Sequence, residues 1–230
     1  MRLLLIRHAQ TTANRDRILD TAAPGHSLTD LGHEQAEELA RRPEVQQIGA
    51  LVVSNLVRTQ QTAAPLVARL GLTPEINADG REIFAGDLED ATEPDAHHQY
   101  AQTVFSWVDG DRSVRLANGE SGEEVLARFD RQVDRAVAAA RQAGSDVAAV
   151  IAHGAILRMW TGCRADGADA SFIASHPLEN TGIIELAGDP ESGWRLVSYA
   201  GLTAERIADG IDDSLATEMA RDEREENFGG

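Results

Sequence analysis

The sequence contains no lysine, so all 21 of its basic residues are arginine. Without lysine the chain cannot form a Schiff base with a carbonyl substrate, and it lacks the lysine with which a P-loop binds nucleotide phosphates. The 38 acidic residues outnumber the basic ones and give a formal net charge of −17. Nucleic-acid binding needs a basic face, so no nucleic-acid partner is expected. A site for an anion must therefore be built locally from arginines, histidines and backbone N–H groups.

Cysteine and long apolar runs are also scarce. The single cysteine, Cys163, excludes an intramolecular disulfide and favours a reducing compartment. The apolar run before Arg7 is too short for a signal peptide, and no stretch approaches the roughly 18 apolar residues of a membrane span. We therefore expect a soluble cytoplasmic protein that does not associate with membranes.

The most informative stretch lies at the N-terminus. Residues 3–6 are four consecutive apolar residues, a pattern typical of a strand buried on both faces. Arg7 and His8 follow directly, at the carboxyl end of that strand, which is where open α/β sheets bind ligands. A guanidinium offers a rigid fork of donors and a neutral imidazole offers a lone pair, so the pair suits an oxyanion. Taken alone, an Arg-His pair is more often a strand end with two solvated side chains.

Two further buried strands are also followed by polar residues. Residues 50–53 precede a polar segment that places Arg58 near the start of a helix, and residues 147–152 precede His153 and Gly154. If the three strands are parallel neighbours, their following side chains converge at one edge of one sheet. No glycine-rich phosphate loop is present, and no histidine or carboxylate cluster has metal-ligand spacing. We therefore expect neither a metal ion nor another cofactor.

The composition changes twice in the second half of the chain. Between residues 93 and 118, Tyr100, Val104 and Trp107 recur at helical spacing, which indicates a small helical cap inserted into the domain. Beyond Gly201 the chain is mostly acidic and polar. We assign residues 1–201 to one domain that includes the cap, and 202–230 to an acidic tail that is a frayed helix or disordered.

Five motifs together resemble the histidine phosphatase superfamily, the phosphoglycerate-mutase-like proteins, and the match runs from Arg2 to about Tyr199. In chain order they are Arg7-His8-Ala9-Gln10-Thr11, Ser54-Asn55-Leu56-Val57-Arg58, Arg81-Glu82-Ile83 running into Gly86, Gly119-Glu120-Ser121, and His153-Gly154. The resemblance implies an α/β three-layer sandwich, with a mostly parallel central sheet and helices on both faces.

The resemblance also implies a phosphohistidine mechanism. His8 would be the nucleophile, and Arg7, Arg58 and His153 would hold the transferred phosphoryl group. Glu82 occupies the position of the family's proton donor. Phosphoryl transfer spreads charge over three equatorial oxygens, so positioned cations can supply most of the catalysis.

Weaker assignments accompany these roles. Thr11, Asn14 and Gly154 are placed with the phosphate-binding residues. The sequence has Leu88-Glu89-Asp90 where the family often has Trp-Glu-Gly, so Asp87 and Glu89 are kept as reserve candidates for the acid.

The function expected is hydrolysis of a small phosphorylated metabolite through a phosphohistidine, without a metal ion. A phosphoglycerate-type mutase is the first alternative, but Ile83 and Ala155 stand where mutases of the family carry an arginine and an asparagine. The segment 87–118 also contains only two basic residues to hold a carboxylate. A member that binds a phosphorylated ligand without turnover is the second alternative. A homodimer is left open.

Overall fold

Eight strands form one sheet within residues 1–208, the part of the chain that the computed structural model describes. The order across the sheet is β3-β2-β4-β1-β6-β7-β5, and β8 pairs with β7. The strands are β1 (Arg2–Arg7), β2 (Ala50–Ser54), β3 (Glu75–Asn77), β4 (Val147–Ala152), β5 (Ala165–Asp166), β6 (Ile183–Asp189), β7 (Gly193–Tyr199) and β8 (Leu202–Thr203).

Helices connect the strands and cover both faces of the sheet. They are α1 (Thr12–Asp16), α2 (Asp30–Leu39), α3 (Val57–Leu70), α4 (Pro94–Ser106), α5 (Gly122–Gln142), α6 (Gly154–Arg164), α7 (Ala170–Ser175) and α8 (Ala204–Ala208). No helix within residues 1–208 has the length and apolar character needed to cross a membrane.

The centre of the sheet is parallel. Strand β4 pairs in parallel with β1 on one side and with β2 on the other, so the carboxyl ends of all three meet at one edge. Beyond β1, strand β6 is antiparallel to β1 and β7 is antiparallel to β6, whereas β5 pairs in parallel with β7. The expected fold is confirmed, and the three strands that precede His8, Arg58 and His153 are adjacent.

Alternate residues of β1 pack into separate cores on the two faces of the sheet. Leu3 and Leu5 belong to a cluster that includes residues of α4, α5 and α6. Leu4 and Ile6 belong to a second cluster with residues of α2 and α3. All four side chains are fully buried, and each such burial is worth roughly 1.5–3 kcal/mol. This two-sided burial explains why the strand is continuously apolar instead of alternating.

Helix α4 is fixed to the body of the domain by two aromatic side chains. The Tyr100 hydroxyl donates to the Ile83 carbonyl oxygen at 2.8 Å. Trp107, just beyond the helix, is fully buried and donates its indole N–H to the Val114 carbonyl oxygen at 2.9 Å. A Cβ at Gly122 would lie 2.6 Å from the Trp107 ring, so the first residue of α5 has to be small.

The segment assigned to an acidic tail begins as part of the fold. Leu202 and Thr203 form β8 against β7, and α8 follows at Ala204–Ala208. The remaining residues of that segment, 209–230, lie outside the described part of the chain.

Candidate active site

A cavity of about 390 Å³ lies at the edge where the parallel strands end. Its wall includes seven of the eight residues that the sequence places in the site: Arg7, His8, Thr11, Asn14, Arg58, Glu82 and Gly154. Helix α4 contributes further wall residues, among them Tyr100 and Phe105. The sheet edge and the segment predicted to form a cap therefore enclose one space.

His8 is held in a defined orientation at the bottom of this space. The residue is 4% exposed, and Nδ1 lies 2.7 Å from the carbonyl oxygen of Ala9. A carbonyl oxygen only accepts, so Nδ1 carries the proton and donates it, which leaves Nε2 with the lone pair. Burial lowers the pKa of His8 well below its ordinary value, and the charges of Arg58 and Arg7 lower it further. The imidazole is therefore neutral and nucleophilic at Nε2.

His153 lies beside His8 but does not line the cavity. The two ring centroids are 5.3 Å apart, and His153 is fully buried. Its Nδ1 accepts a hydrogen bond from Nε of Arg58 at 3.1 Å, so the ring proton is on Nε2, which lies 2.8 Å from Ser54 Oγ. The sequence assigns His153 direct contact with the phosphoryl group. In the structure both ring nitrogens have protein partners, and the hydrogen bond from Arg58 links the ring to that guanidinium, so direct contact with the phosphoryl group stays a prediction.

Arg58 is buried between His153 and an aspartate. Its Nη1 donates to Asp20 Oδ2 at 3.0 Å, and its Nη2 donates to the backbone oxygen of Asp20 at 2.9 Å. Burial lowers the pKa of Arg58, while the charges of Asp20 and Glu82 raise it. Asp20 was not identified from the sequence, since it lies in the loop after α1 with no motif to mark it.

Arg7 lines the cavity and has N–H groups that are not hydrogen-bonded within the described structure. Its Nη1 donates to the Leu178 carbonyl oxygen at 2.5 Å, whereas its buried Nε has no hydrogen-bond partner in the described structure. A Cβ at Gly154 would lie 3.1 Å from this Nε, so the glycine gives the guanidinium room. A buried, unpartnered N–H of a cation is costly unless an acceptor binds it. Arg7 is therefore suited to receive an anion.

Glu82 places a carboxylate on the wall of the same cavity. It accepts hydrogen bonds from the backbone N–H groups of Ile83 at 2.9 Å and of Ala155 and Ile156 at 3.0 Å. The last two belong to the first turn of α6, where free N–H groups and the helix dipole stabilise a negative charge. Arg128 of α5 donates to the backbone oxygen of Glu82 at 3.1 Å and so fixes the segment that carries it.

The two reserve acids lie elsewhere. Asp87 is exposed and accepts a hydrogen bond from Asn118 Nδ2 at 2.7 Å. Glu89 accepts from the backbone N–H groups of Thr21 at 2.7 Å and Ala22 at 2.8 Å. Neither residue is part of the cavity wall, so Glu82 is the carboxylate from the acid motif that faces the site.

Thr11 and Asn14 form a capping box at the start of α1. Thr11 Oγ1 accepts from the Asn14 N–H at 3.0 Å, and Asn14 Oδ1 accepts from the Thr11 N–H at 3.1 Å. Asn14 Oδ1 also accepts from Asn180 Nδ2 at 3.2 Å. The oxygens of both side chains thus have local roles as acceptors, and the Thr11 O–H and the Asn14 amide N–H groups are left to donate to a ligand.

A further arginine on the cavity wall was missed. Arg158 of α6 stacks over the Phe105 ring, with its guanidinium carbon 4.5 Å from the ring centroid. Its Nη2 donates to the Ile173 carbonyl oxygen, and its buried Nε has no partner among the described residues. Arg158 lies four residues after Gly154, one helical turn along the same face, and that spacing was the signal available in the sequence. Within residues 1–208 no group of three or more His, Cys, Asp or Glu residues is placed to hold a metal ion.

Two curated proteins are similar in sequence to this chain over part of their own length. The PE-PGRS family protein PE_PGRS11 of Mycobacterium tuberculosis (strain ATCC 25618 / H37Rv) is 33% identical over 210 residues, which is 86% of this chain and 36% of that protein. The probable phosphoglycerate mutase GpmB of Yersinia pestis (strain Pestoides F) is 31% identical over 134 residues, 58% of this chain and 62% of that protein. The chain therefore spans from about one third to under two thirds of the length of these relatives.

A solved structure and a family model give the same assignment. The structure of a mycobacterial glucosyl-3-phosphoglycerate phosphatase in complex with VO3 superposes with a TM-score of 0.71 at 26% identity, covering 85% of this chain and 96% of that one. The family model described as histidine phosphatase superfamily (branch 1) matches residues 3–201. The resemblance read from the five motifs is confirmed, and this chain belongs to the histidine phosphatase superfamily.

Proposed function

We propose that this chain is a phosphomonoesterase that hydrolyses a small phosphorylated metabolite through a phosphohistidine at His8. The observation that carries the proposal is the state of the His8 ring. It is neutral, its Nδ1 proton is donated to the Ala9 carbonyl oxygen, and Nε2 is left as a nucleophile in a cavity whose wall also includes Arg7, Arg58 and the carboxylate of Glu82. This combination is what in-line phosphoryl transfer to nitrogen requires.

The first step transfers the phosphoryl group to the enzyme. Nε2 of His8 attacks phosphorus and forms the P–N bond, while the P–O bond to the leaving group breaks. Glu82 acts as the general acid and gives a proton to the departing oxygen, so the product leaves as a neutral alcohol. The Glu82 carboxylate that results accepts three backbone N–H bonds, which stabilise its charge until the second step.

The second step releases inorganic phosphate. Water enters where the alcohol has left, and Glu82 takes a proton from it as its oxygen attacks phosphorus. The P–N bond breaks and its electron pair returns to His8 Nε2, which restores the resting state. Arg7 and Arg58 face the equatorial oxygens in both steps and offset the charge that develops on them.

The names of similar proteins support hydrolysis of a phosphate ester without fixing its alcohol. The neighbour described above is a glucosyl-3-phosphoglycerate phosphatase, and α4 and α6 close the cavity here with Tyr100, Phe105 and Arg158. A cavity of about 390 Å³ accommodates a small metabolite and not a folded protein partner. The substrate class proposed is therefore a small phosphorylated metabolite.

The relative named as a probable phosphoglycerate mutase makes the mutase reaction the second candidate. A mutase has to exclude water and return the phosphoryl group to another oxygen of the bound product. Ile83, which follows the acid Glu82, is fully buried in the core and adds no cation to the site. Ala155 brings only a methyl group to the cavity wall. These two positions favour the phosphatase.

Turnover of p-nitrophenyl phosphate and of a panel of phosphorylated metabolites tests the proposal. We expect release of inorganic phosphate from the aryl ester and from at least one metabolite. A member that only binds its ligand would release none. For the mutase, 3-phosphoglycerate is incubated with and without 2,3-bisphosphoglycerate, and conversion to the 2-phosphate faster than phosphate release would overturn the phosphatase assignment.

A further inference from the structure

Asp20 makes two contacts with the same guanidinium. Its carboxylate accepts from Arg58 Nη1 at 3.0 Å and its backbone oxygen accepts from Nη2 at 2.9 Å. The side chains of Arg58 and Asp20 are 3% and 8% exposed, so the ion pair is buried. Burying two charges is expensive unless the geometry is well satisfied, and such a pair is seldom retained for stability alone.

Some N–H groups of Arg58 are hydrogen-bonded to the protein, and the others are available to a ligand in the cavity. A guanidinium has five N–H groups. One is given to Asp20 by Nη1, one to Asp20 by Nη2, and one to His153 by Nε. Two N–H groups remain, one on each terminal nitrogen, and Arg58 lines the cavity. The planar group is thus held at both ends while two donors stay available for phosphoryl oxygens.

The loop that carries Asp20 is itself anchored. Glu89 accepts from the backbone N–H groups of Thr21 and Ala22 and from the Thr21 hydroxyl. The N–H of His26 donates to Asp20 Oδ2 at 2.9 Å. One carboxylate oxygen, Oδ2, therefore accepts both from Arg58 and from the backbone of its own loop.

We propose that Asp20 is a positioning residue, which holds the Arg58 guanidinium in the orientation that binds the transferred phosphoryl group. The inference rests on the proposed function, since it concerns the residue that would bind phosphate. Donors fixed before the substrate arrives need no reorganisation in the transition state. Without the Asp20 carboxylate, Nη1 of Arg58 loses its partner, and the guanidinium is held only by the backbone oxygen of residue 20 and by His153.

A set of variants separates this role from a merely structural one. We compare Asp20→Ala, Asp20→Asn, Arg58→Ala and the double variant Asp20→Ala/Arg58→Ala. Asp16→Asn, an exposed aspartate paired with Arg15, is the matched control. The readouts are the Kd of orthovanadate by calorimetry and kcat/KM for p-nitrophenyl phosphate.

We expect Asp20→Ala to raise the vanadate Kd and lower kcat/KM by about 10²-fold, the cost of misplacing a catalytic group by about 1 Å. Asp20→Asn keeps an acceptor oxygen and loses the negative charge that pairs with Arg58, so a smaller effect, about tenfold, is expected on both quantities. Asp16→Asn should have the Kd and kcat/KM of the wild type. The double variant should have the same Kd and kcat/KM as Arg58→Ala, because Asp20 acts through that arginine.

Partial unfolding of Asp20→Ala would lower the number of binding sites in the titration and leave Kd unchanged. An unchanged Kd in the folded fraction of both Asp20 variants would overturn the inference. The inference would also be overturned if kcat/KM of the double variant were lower than that of Arg58→Ala by the full factor that Asp20→Ala causes in the wild type. If the wild type binds vanadate but hydrolyses no phosphate ester, the proposed function fails, and the Kd series still decides the role of Asp20.

Discussion

Acid should destabilise this protein through His8 and His153. Both rings are buried, and burial is the first cause that lowers the pKa of each well below 6.5, followed by the nearby arginines. In the unfolded chain both titrate near 6.5. Because the folded values are depressed, the stabilisation from burying neutral rings is fully present above pH 6.5. It is lost as the pH falls below 6.5, where the unfolded state binds protons and the folded state does not.

The size of the effect follows from proton linkage. Each histidine that is protonated only in the unfolded state changes the free energy of unfolding by about 1.4 kcal/mol per pH unit. Between pH 6 and pH 5 the unfolded rings are mostly protonated, so the two histidines together should cost about 2 to 3 kcal/mol. That is a large part of the roughly 5–15 kcal/mol by which a typical domain is stable.

Urea unfolding at pH 7, 6 and 5 measures the effect. We expect His8→Gln and His153→Gln each to reduce the loss between pH 6 and pH 5 by about 1.4 kcal/mol, since glutamine does not titrate. His33→Gln, at an exposed position, controls for the substitution itself. Carboxylates contribute equally to every variant. If both buried variants lost stability in parallel with the wild type, the neutral, desolvated state of the two rings would be refuted.

Three further predictions concern the chemistry and its support. Glu82→Gln should lower kcat/KM for alkyl phosphates by about 10²- to 10⁴-fold and far less for p-nitrophenyl phosphate, whose leaving group needs no proton; equal losses in the two assays would move the acid to another group. Ser54→Ala should lower the free energy of unfolding by about 1–3 kcal/mol in urea titrations, because the buried His153 Nε2–H loses its acceptor, whereas the exposed Ser113→Ala should change it little. Activity should be insensitive to chelators and inhibited by vanadate, which mimics five-coordinate phosphorus; loss with a chelator that a divalent ion restores would contradict a mechanism based on arginines.

The central sheet and several residues of the cavity wall could be predicted from the sequence. Continuous apolar runs marked β1, β2 and β4 as strands buried on both faces, and the polar residues directly after them marked the ligand edge. Parallel pairing of these strands then brings His8 and Arg58 together without further information. Local sequence patterns can predict these features because strand burial and strand ends are properties of short segments.

The partners of the site residues could not be predicted in the same way. Asp20 meets Arg58 across 38 positions of the chain, and Ser54 meets His153 across 99. Such contacts depend on how loops and strands pack, so no local sequence pattern predicts them. The same limit applies to His153: its position after β4 could be predicted, whereas its hydrogen bonds with Arg58 and Ser54 are set by tertiary contacts.

The central claim is that His8 becomes phosphorylated during turnover. The most direct measurement mixes the enzyme with a hydrolysed substrate, quenches within one turnover without acid, and maps the phosphate by mass spectrometry. We expect a single phosphohistidine, at His8, which forms and decays at rates that account for kcat, and no adduct or turnover in His8→Ala. Phosphate on a different residue, or full activity in His8→Ala, would contradict the account.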